Sequence, residues 1–185
     1  MWFSMWAVLS VASFGIAWFP MIYYLIKRRN DHFLRQEKME KLILNKLRKT
    51  SNLKKDMIDS NTTKLGAPRN EISWTVSTLL IVPAFYIFYF LKRDLQKHEE
   101  NEHNFLCEVN KLAKDNEIIL NIQSFSTTTG FTFGKYIVVS VGTFGLAAVY
   151  WLYQIFNEYN NHFKMQWIIE DELLTFLKEL EQKAS

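Results

Sequence analysis

SVASFGIAWFPMIYYLIKRRNDHFLRQEKMEKLILNKL, residues 10–47, decides the reading of the chain, because much of it returns 130 positions later, without a gap, as SVGTFGLAAVYWLYQIFNEYNNHFKMQWIIEDELLTFL, residues 140–177. Thirteen positions coincide, among them Ser10/Ser140, Phe14/Phe144, Gly15/Gly145, Tyr23/Tyr153, His32/His162, Phe33/Phe163 and Gln36/Gln166. Self-similarity over this length reads as a tandem duplication with an insert between the copies. Each copy is an apolar helix that runs into an amphipathic one.

Outside the copies the same segregation holds. Of the 185 residues 49% are hydrophobic and 16% aromatic, yet the mean hydropathy is −0.09, because the apolar residues are bunched into three blocks between charged segments. Residues 1–26, 74–91 and 136–156 carry no charge, and a helix needs about 20 such residues to cross the hydrocarbon of a bilayer. Trp2, Trp6, Tyr23 and Tyr24 bracket the first block and Lys27, Arg28 and Arg29 follow it, the pattern of interfacial anchoring. The first block lacks a basic leader and a small-residue cleavage site, so it reads as an uncleaved spanning helix. Pro20 reads as a kink in the last turns of the first helix, and the second block is expected to cross despite Pro83.

The chain therefore predicts an all-α membrane protein with three transmembrane helices. Its first unit is 1–58, a spanning helix over 1–26 with an amphipathic helix over 30–58. A linker over 59–72, a second spanning helix over 73–92 and a loop with a short helix over 93–135 follow. The second unit is 136–185, a spanning helix over 136–156 with an amphipathic helix over 160–182. Within 118–134 the Ser, Thr, Asn and Gln content favours an extended surface loop, with a protein-shielded re-entrant segment as the alternative. Lys and Arg number 13 over 27–72, 6 over 92–135 and 3 after Asn157. The positive-inside rule then expects a multi-pass cell-membrane protein with the N-terminus outside and the C-terminus cytoplasmic.

Several function classes lose their support. A net charge of +3 without a basic stripe argues against nucleic acid. The single cysteine, Cys107, excludes an internal disulfide. No phosphate loop, dinucleotide fingerprint, HExxH or nucleophile elbow is present, and the three apolar blocks contain no carboxylate, His, Lys or Arg, which ion pathways and proton relays usually need. The expectation is a non-enzyme without a cofactor.

Four residues stand as metal-ligand candidates although no metal site is assigned. His32 and His162 recur in NDHF and NNHF just beyond two apolar helices, where they could face each other and bind a metal or titrate near neutrality. The alternative makes each an interfacial histidine bonded to a carbonyl or a lipid headgroup. His103 and Cys107 share a helix face four residues apart but supply only two ligands. Ser13, Gly15 and Ala17, with Thr143, Gly145 and Ala147 in the other copy, read as small-residue faces through which spanning helices pack. Met39, Ile43 and Leu47 form an apolar stripe matched by Ile169, Leu173 and Leu177. Such stripes must be buried against a helix or a membrane surface, and the opposite charge of the two tails favours their pairing.

SFGIAWFPMIYYLIKRRNDHF and, more closely, TFGLAAVYWLYQIFNEYNNHF resemble a family of small prokaryotic membrane proteins with a Thr, Gly and aromatic-rich helix of the form TxGIYxxYWLY. The likeness covers about 25 residues in each copy, and the middle block departs from it, with IVPAFYIF where the glycine would stand. It implies residence in a membrane. The functional expectation is an integral membrane scaffold or accessory subunit that docks through paired amphipathic helices, its partners the lipid bilayer and other membrane subunits or copies of itself. A small transporter or channel component, and a metal-binding subunit using His32 and His162, are the alternatives.

Overall fold

A computed structural model of the protein describes residues 2–51, 68–115, 126–130 and 132–184. Six helices are found among them: α1 (Phe3–Ala12), α2 (Trp18–Ser51), α3 (Glu71–Ser77), α4 (Ile81–Asp115), α5 (Phe133–Gly142) and α6 (Leu146–Ala184). The chain divides into one unit of residues 1–31, 67–96 and 127–162 and another of residues 32–66, 97–126 and 163–185.

In the first unit every apolar block is broken into a short helix followed by the start of a long one. Residues 13–17 separate α1 from α2, and the left-handed pair Phe14 (φ 50°) and Gly15 (φ 89°) turns the chain. The Gly15 N–H donates to the carbonyl of Ser10 at 2.7 Å, which caps the end of α1. The Ser13 hydroxyl accepts the Ala17 N–H at 2.9 Å on the far side of the turn. The second copy repeats the construction: Phe144 (φ 51°), Gly145 (φ 89°), Gly145 N–H to Ser140 at 2.8 Å and Ala147 N–H to the Thr143 hydroxyl at 3.0 Å. A left-handed conformation costs a residue with a side chain about 1–2 kcal/mol, so both phenylalanines sit in strained positions. Between α3 and α4 the turn is residues 78–80, where the Thr78 hydroxyl donates to the carbonyl of Thr75.

Each short helix folds back along the long one. Trp6 meets Tyr24 at 6.1 Å between ring centroids, Trp74 stacks on Tyr86 at 5.4 Å, and Tyr136 stacks on Trp151 at 4.7 Å. The three hairpins pack together through Phe3 against Phe156 (5.5 Å), Trp18 against Phe88 (6.2 Å) and Phe88 against Trp151 (5.4 Å). Met21, Ile22, Leu25, Ile87, Leu91, Leu152 and Ile155 are buried among them. Trp18, Phe88 and Trp151 meet at one level, and Arg29–Asp94 and Lys92–Glu158 pair further along the same helices. The starts of α2, α4 and α6 therefore run parallel.

These breaks overturn the three transmembrane helices. At about 1.5 Å per residue α1 and α5, ten residues each, are about 15 Å long, half of the roughly 30 Å of hydrocarbon. The uncharged parts of α2, α4 and α6 end at Ile26, Leu91 and Asn157 and are no longer than about 18 Å. No helix among the described residues is long and apolar enough to cross a membrane. The multi-pass topology and its sidedness, N-terminus outside and C-terminus cytoplasmic, fall with the spans. Pro20 and Pro83 are not kinks: each lies in the first turn of its helix, where the missing N–H has no partner to lose. Ser13, Gly15, Ala17, Thr143 and Gly145 lie in the turns, and Ala147 in the first turn of α6 donates its N–H to Thr143.

In the second unit the long helices continue. The short amphipathic helix expected within 93–135 is the unbroken extension of α4, and those expected over 30–58 and 160–182 belong to α2 and α6; residues 52–58 and most of the linker 59–72 lie outside the described residues. Ile43 from α2, Phe105, Leu106, Val109 and Ala113 from α4, and Ile169, Leu173, Phe176 and Leu177 from α6 form one core, with Met39 and Leu44 packed against it. Ion pairs from Arg35 to Glu170 (2.9 Å) and Lys46 to Glu181 (2.6 Å) join α2 to α6 on the exposed side. Of the stretch 118–134, residues 126–130 have no regular structure and Phe133 already begins α5; residues 118–125 and 131 lie outside the described residues.

Candidate metal centre

One turn before the apolar core of the second unit, the three helices present polar side chains inward. Gln36 donates to Glu102 (3.4 Å) and to Glu40 (3.3 Å), and Gln166 donates to Gln36. Gln36, Glu40, Glu102 and Gln166 are all buried. Four residues earlier on each helix stands a histidine: His32, His98 and His162. A step of four residues is about one helical turn, so the layer of histidines lies directly above the Gln36–Glu102–Gln166 layer.

His32 and His98 approach edge to face with ring centroids 5.2 Å apart. Phe33 stacks on His98 at 4.3 Å and Phe163 packs on His32 at 4.4 Å. His162 precedes Phe163 on the unbroken α6, so the same turn of helix carries it to these rings. The three imidazoles are 6%, 3% and 2% exposed, and one ligand nitrogen from each lies within 4.8 Å of the other two. Three points so spaced are at most about 2.8 Å from a common centre. Zinc–imidazole bonds are about 2.0–2.1 Å, so inward movements of under about 1 Å bring all three onto one ion. Imidazole suits zinc, copper, nickel and iron. Glu99 and Glu102 are buried beside His98 and one turn beyond it on α4.

The structure thus gathers His32 and His162, and adds a third ligand that the duplication did not reveal. His98 sits on the middle helix, outside both copies. Its signal was present: Arg93 precedes His98 by five residues as Lys27 precedes His32. His103 and Cys107 do meet, Nε2 to Sγ at 3.6 Å, but both are exposed, and among the described residues no third ligand joins them. Met39, Ile43, Ile169, Leu173 and Leu177 pack in the chain's own core together with α4; the side chain of Leu47 lies outside the described residues.

The first unit has its own buried polar collar. Arg29, 1% exposed, pairs with Asp94 at 2.8 Å, and Arg69 pairs with the same carboxylate at 3.0 Å while lying over the Phe90 ring at 4.0 Å. Burial pulls the Arg29 guanidinium below its usual range against the opposing pull of Asp94. Asn30 donates to Glu71 at 2.7 Å and holds that carboxylate below its ordinary range. The Tyr159 hydroxyl donates to the carbonyl of Leu91 at 3.0 Å, and burial pushes it far above the ordinary phenol range. Lys92 and Glu158 form a buried pair that Thr129 completes.

Comparison with protein-family models, with curated proteins and with solved structures finds no match.

Proposed function

We propose that the protein is a non-catalytic metal-binding helical scaffold, in which a divalent transition metal ties α2, α4 and α6 together through His32, His98 and His162. The observation that carries this reading is the convergence of three buried imidazoles, one from each long helix, within 4.8 Å. Zinc is the ion to test first among those that imidazole suits, because three histidines are a zinc donor set that leaves the fourth position of the tetrahedron for water. Phe33 and Phe163 pack against the rings and leave the centre poorly placed for a substrate, which supports a structural over a catalytic role. Ligand nitrogens must be unprotonated to bind, so metal uptake weakens in acid.

The test is metal stoichiometry. Protein stripped with a chelator and titrated with Zn²⁺ is expected to bind one ion per chain, and Co²⁺ in its place to give the visible spectrum of a tetrahedral site. With free zinc at a hundred times its dissociation constant the folded state gains about 2.7 kcal/mol. At about 2.1 cal/mol/K per residue, 185 residues give an unfolding entropy of about 0.39 kcal/mol/K, so the thermal midpoint rises by about 7 °C. His98→Ala abolishes both effects and His103→Ala leaves them intact. Wild-type protein that takes up no more zinc than a chain lacking all three histidines would refute the reading.

A further inference from the structure

The first unit ends in three apolar tips. Phe14 and Phe144 are 99% exposed at the left-handed turns of the two copies. Ile16 and Leu146 beside them, and Leu80 and Val82 at the turn of the middle hairpin, are also mostly exposed. Helix α1, FSMWAVLSVA, has no buried residue although eight of its ten side chains, all but Ser4 and Ser10, are apolar and none is charged. A helix that is apolar all round belongs in a nonpolar medium. Monomeric proteins in water rarely expose contiguous apolar patches beyond a few hundred Å².

The heights of the hairpins agree with one another. Counting away from each turn, the first charged residue on the long helix is Lys27, Lys92 or Glu158, which lie 12 or 13 residues from Gly15, Leu80 and Gly145. That is about 18–20 Å of helix. One leaflet of a bilayer has about 15 Å of hydrocarbon before the headgroup region begins. Near the corresponding depth Trp2, Tyr24 and Tyr153 are exposed, as aromatic side chains are at a membrane interface. Lys27, Arg93 and Lys135, exposed just beyond, are placed to meet anionic headgroups. The backbone is satisfied as lipid requires: the turn amides of Phe14, Gly15, Ile16 and Ala17 all find acceptors within the hairpin.

We propose that the three hairpin tips insert together into the acyl layer of one leaflet of an anionic phospholipid membrane, entering and leaving on the same side without crossing. The strained phenylalanines at Phe14 and Phe144 then have a use that water does not give them, since each is the deepest side chain of its hairpin. This inference stands apart from the metal centre and does not depend on it.

The experiment uses the full chain with Cys107→Ala and vesicles of phosphatidylcholine and phosphatidylserine. Single cysteines at Phe14, Leu80 and Phe144, each labelled with an environment-sensitive fluorophore, are quenched by lipids brominated at known depths. Strongest quenching is expected from bromines near the acyl-chain ends for all three positions. A cysteine at Trp2 and one at Lys27 should both react with an impermeant maleimide added outside the vesicles. Phe14→Glu with Phe144→Glu, its helicity checked by circular dichroism, is expected to partition into vesicles roughly tenfold less or weaker still. Folded protein whose tip probes no bromolipid quenches would overturn the proposal. So would protection of only one of the two rim positions, which indicates crossing, or tips buried in a second copy of the chain and shielded from lipid.

Discussion

Removing the charge of Lys92 should damage the fold about as much as opening its apolar core. Lys92 is 2% and Glu158 8% exposed, and the Glu158 carboxylate also accepts the Thr129 N–H at 3.2 Å and the Thr129 hydroxyl at 2.9 Å. Lys92→Met keeps the aliphatic stem and strands the carboxylate. Breaking a buried pair from one side costs about 3–5 kcal/mol. The two bonds from Thr129 remain, which places the expected loss near the lower end, about 3 kcal/mol. With the unfolding entropy of about 0.39 kcal/mol/K for 185 residues, that lowers the thermal midpoint by about 8 °C. Adding Glu158→Leu removes the stranded charge, and the double variant should lie within about 1–2 kcal/mol of wild type, the residue being the unpaired Thr129 N–H. A double-mutant cycle by circular dichroism melting then reads a coupling of more than about 1 kcal/mol. Additive losses, or a Lys92→Met variant within about 1 kcal/mol of wild type, would refute the idea that the pair acts as one buried unit.

Two further outcomes follow from neighbouring positions. Leu173→Ala opens the core of the second unit, where Leu173 is fully enclosed, and should cost about 2–5 kcal/mol; Leu174→Ala, at an exposed position of the same helix, should stay within about 0.5 kcal/mol, and equal losses in urea titrations would contradict the packing. The Glu71 carboxylate is held below its ordinary range by Asn30, so its contribution is complete above the unfolded value of about 4.3 and disappears as pH falls through the lower folded value. Glu71→Gln should therefore flatten the acid limb of a melting-temperature profile between about pH 5 and 3; an unchanged acid slope would show that this bond does not couple to folding.

The helical character of the chain and the matched stripes of its two copies were legible because apolar residues recur at helical spacing: Ile43, Ile169, Leu173 and Leu177 are buried together. The breaks were not. A glycine within an uncharged run of 26 residues is as compatible with a spanning helix as with a hairpin, and composition cannot tell the two apart. Pro20 and Pro83 carried the missing information, since proline is favoured in a first turn and costly in an interior one; taken as starts, they would have divided two of the three blocks. His98 was missed for a different reason. The middle helix shares the register of the others but few of their residues, so a comparison by identity passed over it, while the spacing from a basic residue to histidine would have found it. The third helix of the core was legible in part: Phe105 and Val109 stand at helical spacing in the short amphipathic helix expected within 93–135, but its continuity with the apolar block before it was not.

Three parallel helices in one register are an arrangement that three identical chains could also build, but one chain can vary each helix by itself. With His32, His98 and His162 aligned, Lys92 stands level with Ile26 and Phe156. In three identical chains the layer would hold three lysines, each two residues from the carboxylate at position 94. Joined in one polypeptide, the layer holds a single lysine between apolar neighbours, with its acid supplied by α6 alone. The histidine layer is the same on all three helices, whereas the ion-pair layer differs on each of them.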